Sequence, residues 1–170
     1  MKHKNETDSE QVAQRRAKLG TLREAGNPFP NDFRRDSEAA SLLEKFGNEE
    51  NDVLEANPVE VRIAGRLMTR RVMGKAAFAH VRDESGDIQI YAQRDTLPEG
   101  VYNSVFKKLD IGDIVGLTGV LFKTRTGELT INVFDFRLLV KSLHGLAIEK
   151  KMGDGHHIYI LNYHLLQWTR

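Results

Sequence analysis

Phe78, His80 and Arg82 alternate with Ala77, Ala79 and Val81, and Gln89, Tyr91 and Gln93 alternate with Ile88, Ile90 and Ala92. Successive side chains of an extended strand point to opposite faces, so each run separates a small apolar face from one carrying rings, amides and charge. Glu128, Thr130 and Asn132 repeat the pattern against Leu129, Ile131 and Val133. Side by side, such faces could hold an unpaired nucleobase: an aromatic ring stacks on it, amides and carboxylates read its edge, and nearby cations neutralise phosphate. Phe78 is the stacking candidate, because its neighbours Ala77 and Ala79 fit a core better than it does.

Other chemistries find no purchase. The chain has no Gly-x-x-x-x-Gly-Lys-Ser/Thr phosphate loop, no Gly-x-Ser-x-Gly elbow and no His-Glu-x-x-His pair, and no catalytic residue is assigned. His144, His156, His157 and His164 cluster towards the C-terminus, but a metal site usually adds an acidic or thiol partner, and the chain has no cysteine. His156 and His157, if on a strand, would point to opposite sides, so no metal site is expected.

The elements that must position these faces follow from composition and period. A chain of 170 residues with 40% apolar residues and no cysteine describes one domain with an appendage and no disulfide framework. No run approaches the ~20 apolar residues of a membrane span. The polar start Met1-Lys2-His3-Lys4-Asn5-Glu6 lacks the apolar stretch of a signal peptide, so a cytoplasmic protein is expected. The charge balance is −3 over residues 1–58, +3 over 59–143 and +1 over 144–170. A mildly cationic middle is compatible with nucleic-acid contact and falls short of a patch that holds duplex DNA by charge alone.

Asp8 or Ser9 is expected to cap a first helix carrying Val12, Ala13, Leu19 and Leu22 and ending at Gly26. Its apolar stripe is thin, so it should pack on the next domain or on a second subunit. The two prolines of Asn27–Phe33 exclude helix. Asp36 or Ser37 should cap a second helix burying Ala39, Leu42, Leu43 and Phe46, followed by an acidic linker from Asn48 to Asn57. From Val59 the period becomes two. Three strands follow, the first bent or bulged at Gly65 and the last two joined by the turn Glu84–Asp87. Thr96-Leu97-Pro98-Glu99 has the spacing of a capping box for a helix burying Val101, Tyr102, Val105, Phe106 and Leu109. A strand from Asp113 to Lys123, the turn Arg125-Thr126-Gly127 and a strand from Glu128 to about Val140 complete the series. Three strands, a helix and two strands is the order of the five-stranded OB-fold barrel, whose usual binding face surrounds its second and third strands. The expected organisation is an N-terminal helical extension and linker (1–58), the barrel (59–143) and an atypical tail (144–170), in which Ile158–Leu161 and Leu165, Leu166 and Trp168 could form a short apolar element.

GNPFPNDFRR (26–35), AGRLMTRRVMGK (64–75), LPEGVYNSVFKK (97–108), LFKTRTGEL (121–129) and Arg137-Leu138-Leu139 resemble the N-terminal anticodon-binding domain of bacterial lysyl-tRNA synthetases over about residues 10 to 146. The resemblance implies that Phe78 stacks on an anticodon base of lysine tRNA. It places Arg71, Gln89 and Glu128 at the other anticodon-reading positions: a cation at base or backbone, an amide for a uracil edge, and a carboxylate accepting an imino or amino proton. Arg66, Arg70, Lys75 and Lys123 are candidate phosphate contacts. The family's Pro-Leu-Pro-Asp-Lys type linker is not found between Lys141-Ser142-Leu143 and His144-Gly145-Leu146, and 147–170 match nothing in the family. The resemblance therefore implies tRNA binding without the class II catalytic domain. No cofactor is expected for this chain, since ATP and Mg serve the family's catalytic domain. The rival readings are a protein-interaction module, pairing through the N-terminal region with another copy or a full-length synthetase, and a general single-strand binder.

Overall fold

The computed structural model describes residues 4–145, 147–151, 157–161 and 164–167, with side chains described from Glu10 to Gly145. Met1 to His3, Leu146, His156 and Trp168 lie outside the described residues. The barrel is closed in the order β1 (Glu60–Met73), β2 (Ala76–Arg82), β3 (Asp87–Gln93), β5 (Leu129–Val140), β4 (Ile114–Lys123) and back to β1. All pairings are antiparallel except β3 with β5. This is the expected OB-fold, with closure removing the exposed sheet edges.

The small apolar faces read from the sequence form its core. Ala77, Ala79 and Val81, Ile88, Ile90 and Ala92, and Ile131 and Val133 are all buried. Tyr102 and Phe106 plug one end, stacked on each other at 5.7 Å, with Phe106 edge-on to Phe136 at 5.2 Å. Their element is shorter than expected: a single turn of helix, α4 (Val101–Ser104), runs into a 3-10 turn (Phe106–Lys108). The capping box does not form. Gly100, with φ +82, occupies the N-cap, and the Thr96 hydroxyl reaches the carbonyls of Gln93 and Val133.

β1 contains a bulge, at Met68 and not at Gly65. Leu67 faces Val81 and Thr69 faces His80, so Met68 is an extra residue. Before it the odd-numbered Val61, Ile63 and Leu67 point into the core; after it Thr69 and Arg71 sit opposite the outward His80 and Phe78. Gly65 serves a different purpose: a side chain there would collide with the Arg82 carbonyl and Val81.

The first helix, α1, runs from Lys4 to Ala25, so Asp8 and Ser9 lie within it and are not its caps. It docks on its own barrel at the ends of β4 and β5 remote from Phe122 and Glu128. Leu19 is buried, and Arg15 Nη1 donates to the carbonyls of Ile111 and Ser142 at 3.2 and 3.1 Å. Beside it the Lys141 ammonium donates to Asp110 at 2.6 Å and to both oxygens of the wholly buried Asp113 at 2.7 and 2.9 Å. Lys18 completes the cluster at 2.8 Å from Asp110. Burial alone would raise the Asp110 carboxyl, but the hydrogen bonds from Lys141 and Lys18 outweigh it and hold it below the usual carboxylate range.

Helix α2 (Ala39–Phe46) buries Ala39 and Leu42 but leaves Leu43 exposed, and neither Asp36 nor Ser37 caps it. Its N-terminus is capped from the β2–β3 turn: Asp83 Oδ2 accepts the Ala39 N–H at 2.8 Å, and Ser85 Oγ the Ala40 N–H at 2.9 Å. Asp36 instead accepts the Arg62 N–H at 2.8 Å. The supposed linker holds a further helix, α3 (Asn51–Ala56), anchored by buried Leu54. Burial would raise Asp83, yet the Ser85 hydroxyl and the N–H groups of Ala39, Ser85 and Gly86 together lower it. Its contribution is therefore complete at neutral pH and lost as pH falls below about 4. Asp83→Ala is expected to cost about 1–2 kcal/mol at pH 7, the scale of a lost cap, with the gap to the parent narrowing in acid. Urea unfolding at several pH values checks this, and a gap that widens on acidification would refute it.

Residues 147–167 carry a three-stranded antiparallel meander of their own, β6 (Ala147–Lys151), β7 (His157–Leu161) and β8 (His164–Gln167), paired as a sheet separate from the barrel.

Candidate nucleic-acid interface

A surface groove of about 990 Å³ opens over β1, β2 and β3 and is closed on one side by the β4–β5 turn. Each wall has a local cause. The bulge at Met68 turns Thr69 and Arg71 outward; the pleat of β2 and β3 presents Phe78, His80, Gln89 and Tyr91. The turn is fixed by Gly127 at φ +82, whose N–H donates to the Thr124 carbonyl at 2.9 Å, and by the Thr124 hydroxyl accepting the Glu128 N–H at 3.1 Å. Glu128 is thereby placed at the groove's edge, its side chain half exposed.

Three rings line the groove. Phe78 lies 4.8 Å from Tyr91, tilted by 43°, and Tyr91 meets Phe122 edge-on at 6.1 Å. Such spacing leaves ring faces available while fixing the rings against one another. Beside them the polar groups form one relay. Gln89 Nε2 donates to Glu128 Oε2 at 2.8 Å, and Thr130 Oγ1 donates to Gln89 Oε1 at 2.8 Å. His80 Nε2 stands 3.2 Å from Glu128 Oε1, and its Nδ1 is 2.9 Å from Thr69 Oγ1. Each carboxylate oxygen thus has one partner within the relay, and Glu128 lines the groove with acceptor capacity to spare.

Arg71, Phe78, Gln89 and Glu128 are brought together in this one groove. The four candidate phosphate contacts are not. Arg70 and Lys123 line the groove, but Arg70 Nη1 donates to the Phe106 and Lys107 carbonyls at 2.7 and 2.9 Å. Lys123 Nζ donates to the Gly47 carbonyl at the end of α2, at 2.7 Å. These are neutral acceptors, so both charges remain in the groove's field. Lys75 is exposed in the β1–β2 turn. Arg66, ahead of the bulge, lies outside the groove and donates to the Gly112 carbonyl at 2.9 Å. Thr69, His80, Tyr91, Phe122, Arg125 and Thr130 join the site without having been singled out. For His80, Tyr91 and Thr130 the period-two faces carried the signal; for Thr69 and Arg125 no local pattern does.

No group of three or more metal-ligating side chains occurs among the described residues. No described helix is long and apolar enough to cross a membrane.

A closed five-stranded barrel with a short helix between its third and fourth strands, and outward rings, amide and carboxylate on its second and third, defines an OB-fold nucleic-acid-binding domain. Residues 61–139 match the family described as OB-fold nucleic acid binding domain, of the tRNA anticodon type. The lysine–tRNA ligase of Aeromonas hydrophila is 56% identical over 143 residues, covering 84% of this chain and 28% of the relative. That of Idiomarina loihiensis is 55% identical over 149 residues, covering 84% and 30%. The heat-inducible lysine–tRNA ligase of Escherichia coli K12 is 53% identical over 138 residues, covering 81% and 27%. Residues 61–139 thus form an OB-fold domain of the tRNA anticodon type, and the chain is similar to the N-terminal part of bacterial lysyl-tRNA ligases, spanning little more than a quarter of the length of these relatives.

Proposed function

We propose that the groove binds the anticodon of lysine tRNA and reads it base by base. The observation that carries this reading is the Gln89–Glu128 pair, an amide and a carboxylate locked 2.8 Å apart beside the Phe78 and Tyr91 rings. A uracil edge offers one imino donor between two carbonyl acceptors. The carboxylate accepts the first, and the remaining amide N–H of Gln89 donates to a carbonyl. Phe78 supplies the stacking face. Arg71, exposed at the rim, contacts base or backbone; Arg70, Lys123 and the turn residues Lys75 and Arg125 supply phosphate-neutralising charge. Residues 59–143 are the RNA-binding unit, with 1–58 as its helical extension and 144–170 as an appendage. The 170-residue polypeptide supplies recognition and not ligase chemistry, needing no ATP or Mg of its own. α1 buries its contact face on its own barrel, which favours this reading over pairing with another copy or a full-length synthetase through that helix.

Gln89→Ala and Glu128→Ala are each expected to weaken binding of a lysine anticodon stem-loop by about 1–2 kcal/mol while sparing a stem-loop with swapped anticodon, because loss of an edge-reading partner removes discrimination. Fluorescence anisotropy at fixed salt measures both. Equal affinity of the unsubstituted protein for the two RNAs would replace anticodon reading with general single-strand binding.

A further inference from the structure

His80 sits at the centre of the groove's polar relay, and neither stacking nor edge reading uses it. Its Nε2 faces a carboxylate oxygen, which cannot donate, so the imidazole must carry its proton there. Nδ1 is then free to accept from the Thr69 hydroxyl. With Gln89 donating to the other oxygen, each oxygen of Glu128 holds one hydrogen bond, which fixes the plane of the carboxylate. Without the His80 donor, Glu128 is tethered on one oxygen only and can rotate about the end of its side chain.

We propose that His80 is a positioning residue that holds the Glu128 carboxylate in its base-reading orientation, and that protonation of His80 lowers base discrimination while raising affinity for any RNA strand. This deepens the anticodon-reading proposal and rests on it. Neutral His80 donates one hydrogen bond and leaves the full negative charge on Glu128, which draws a base N–H. The imidazolium makes an ion pair with no net charge, and the carboxylate becomes a weaker acceptor for that N–H. At the same time the groove gains one positive charge next to the phosphate path.

The charged groups around His80 do not cancel this change. Arg71 on β1, and Lys123 and Arg125 on β4 and its turn, line the same groove; Arg70 shares it with its guanidinium held on helix carbonyls. Asp87 on β3 lies within electrostatic reach of His80, but it is bound by Arg82 at 2.6 Å and held low mainly by that hydrogen bond. Glu128 is the one carboxylate in direct contact with the ring among the described residues. Histidine is the side chain that ordinarily changes charge between pH 5 and 8.

The test compares binding of a lysine anticodon stem-loop and its anticodon-swapped counterpart to the full chain at about pH 8 and about pH 5.5, at constant salt. For the unsubstituted protein the affinity ratio is expected to fall about three- to fivefold on acidification, the scale of one weakened charge-assisted hydrogen bond, while the swapped RNA binds more tightly. His80→Gln keeps an N–H near the Nε2 position and cannot be charged. It should retain most of the discrimination of pH 8 and lose the pH dependence. His80→Leu should lose discrimination at both pH values. Two-dimensional NMR of the core methyl groups separates this loss from unfolding, because Val81 and Ile90 signals stay in place if the barrel is intact. A ratio that is large at both pH values, or a pH dependence that survives in His80→Gln, overturns the proposal. A ratio near one already at pH 8 in the unsubstituted protein refutes anticodon reading itself, which is a different outcome.

Discussion

Asp113→Ala is expected to lower the unfolding free energy of the protein by about 3 kcal/mol. Asp113 is wholly buried and takes two hydrogen bonds from Lys141, one from the Asp110 N–H and one from the Ser142 N–H. Removing it leaves a buried ammonium and two backbone donors short of acceptors. Breaking one side of a buried pair costs about 3–5 kcal/mol, and the retained contact between Lys141 and Asp110 sets the expectation at the lower end. The same cluster anchors Lys18 of α1, so part of the loss should appear as detachment of that helix. Urea unfolding followed by far-ultraviolet dichroism measures the total, and hydrogen exchange in α1 measures the share due to docking. Adding Lys141→Met should return part of the stability, because it removes the stranded charge. A single substitution costing less than about 1 kcal/mol would show that the buried cluster is not what fixes this end of the barrel.

Phe78→Ala should weaken RNA binding by about 1–3 kcal/mol, the contribution of one base–aromatic stack, and should do so alike for lysine and swapped anticodons. Its ring is half-buried and packs on Tyr91 outside the core, so the barrel should lose no more than about 1 kcal/mol of stability. Phe78→Tyr keeps the ring and should bind nearly as the parent does. Anisotropy titrations with both stem-loops, paired with thermal unfolding, separate the two effects. If the alanine variant binds RNA normally but unfolds earlier, Phe78 is a packing residue of the sheet surface, and the stacking platform passes to Tyr91 or Phe122.

Much of the barrel was legible because period-two alternation is a strong signal when one face is made of Ala, Val and Ile. Ala77–Val81 and Ile88–Ala92 settle the inside and outside of β2 and β3, and with them the positions of Phe78, His80, Gln89 and Tyr91. What the sequence concealed depends on contacts between distant segments. α2 looked self-capped because Asp36 and Ser37 precede it, whereas Asp83 and Ser85 cap it from a turn more than forty residues away. Thr96–Glu99 has the spacing of a capping box, but Gly100 takes the cap and Thr96 turns to β5. Arg66 and Arg70 looked alike as surface cations on one strand. The bulge between them sends Arg66 to Gly112 and Arg70 to the carbonyls behind Phe106, while Arg71 emerges into the groove. No residue type marks that bulge, since Met68 is neither glycine nor proline.

The extra residue at Met68 also determines which kinds of sequence change β1 can absorb. Its side chain is only partly covered, so replacing it leaves the count of residues, and hence the facing of everything downstream, as it was. Deleting it would restore unbroken alternation and leave the two sides of the strand as they are, because Thr69 would follow Leu67 directly and still meet the outward His80; what would be lost is the local bend and added twist of the bulge. The facing of the groove is therefore compatible with both substitution and loss at position 68, and a loss there costs β1 its bend and not its outward pair Thr69 and Arg71. The outward facing of Thr69 and Arg71 is set by their partners His80 and Phe78, independent of the letter at position 68.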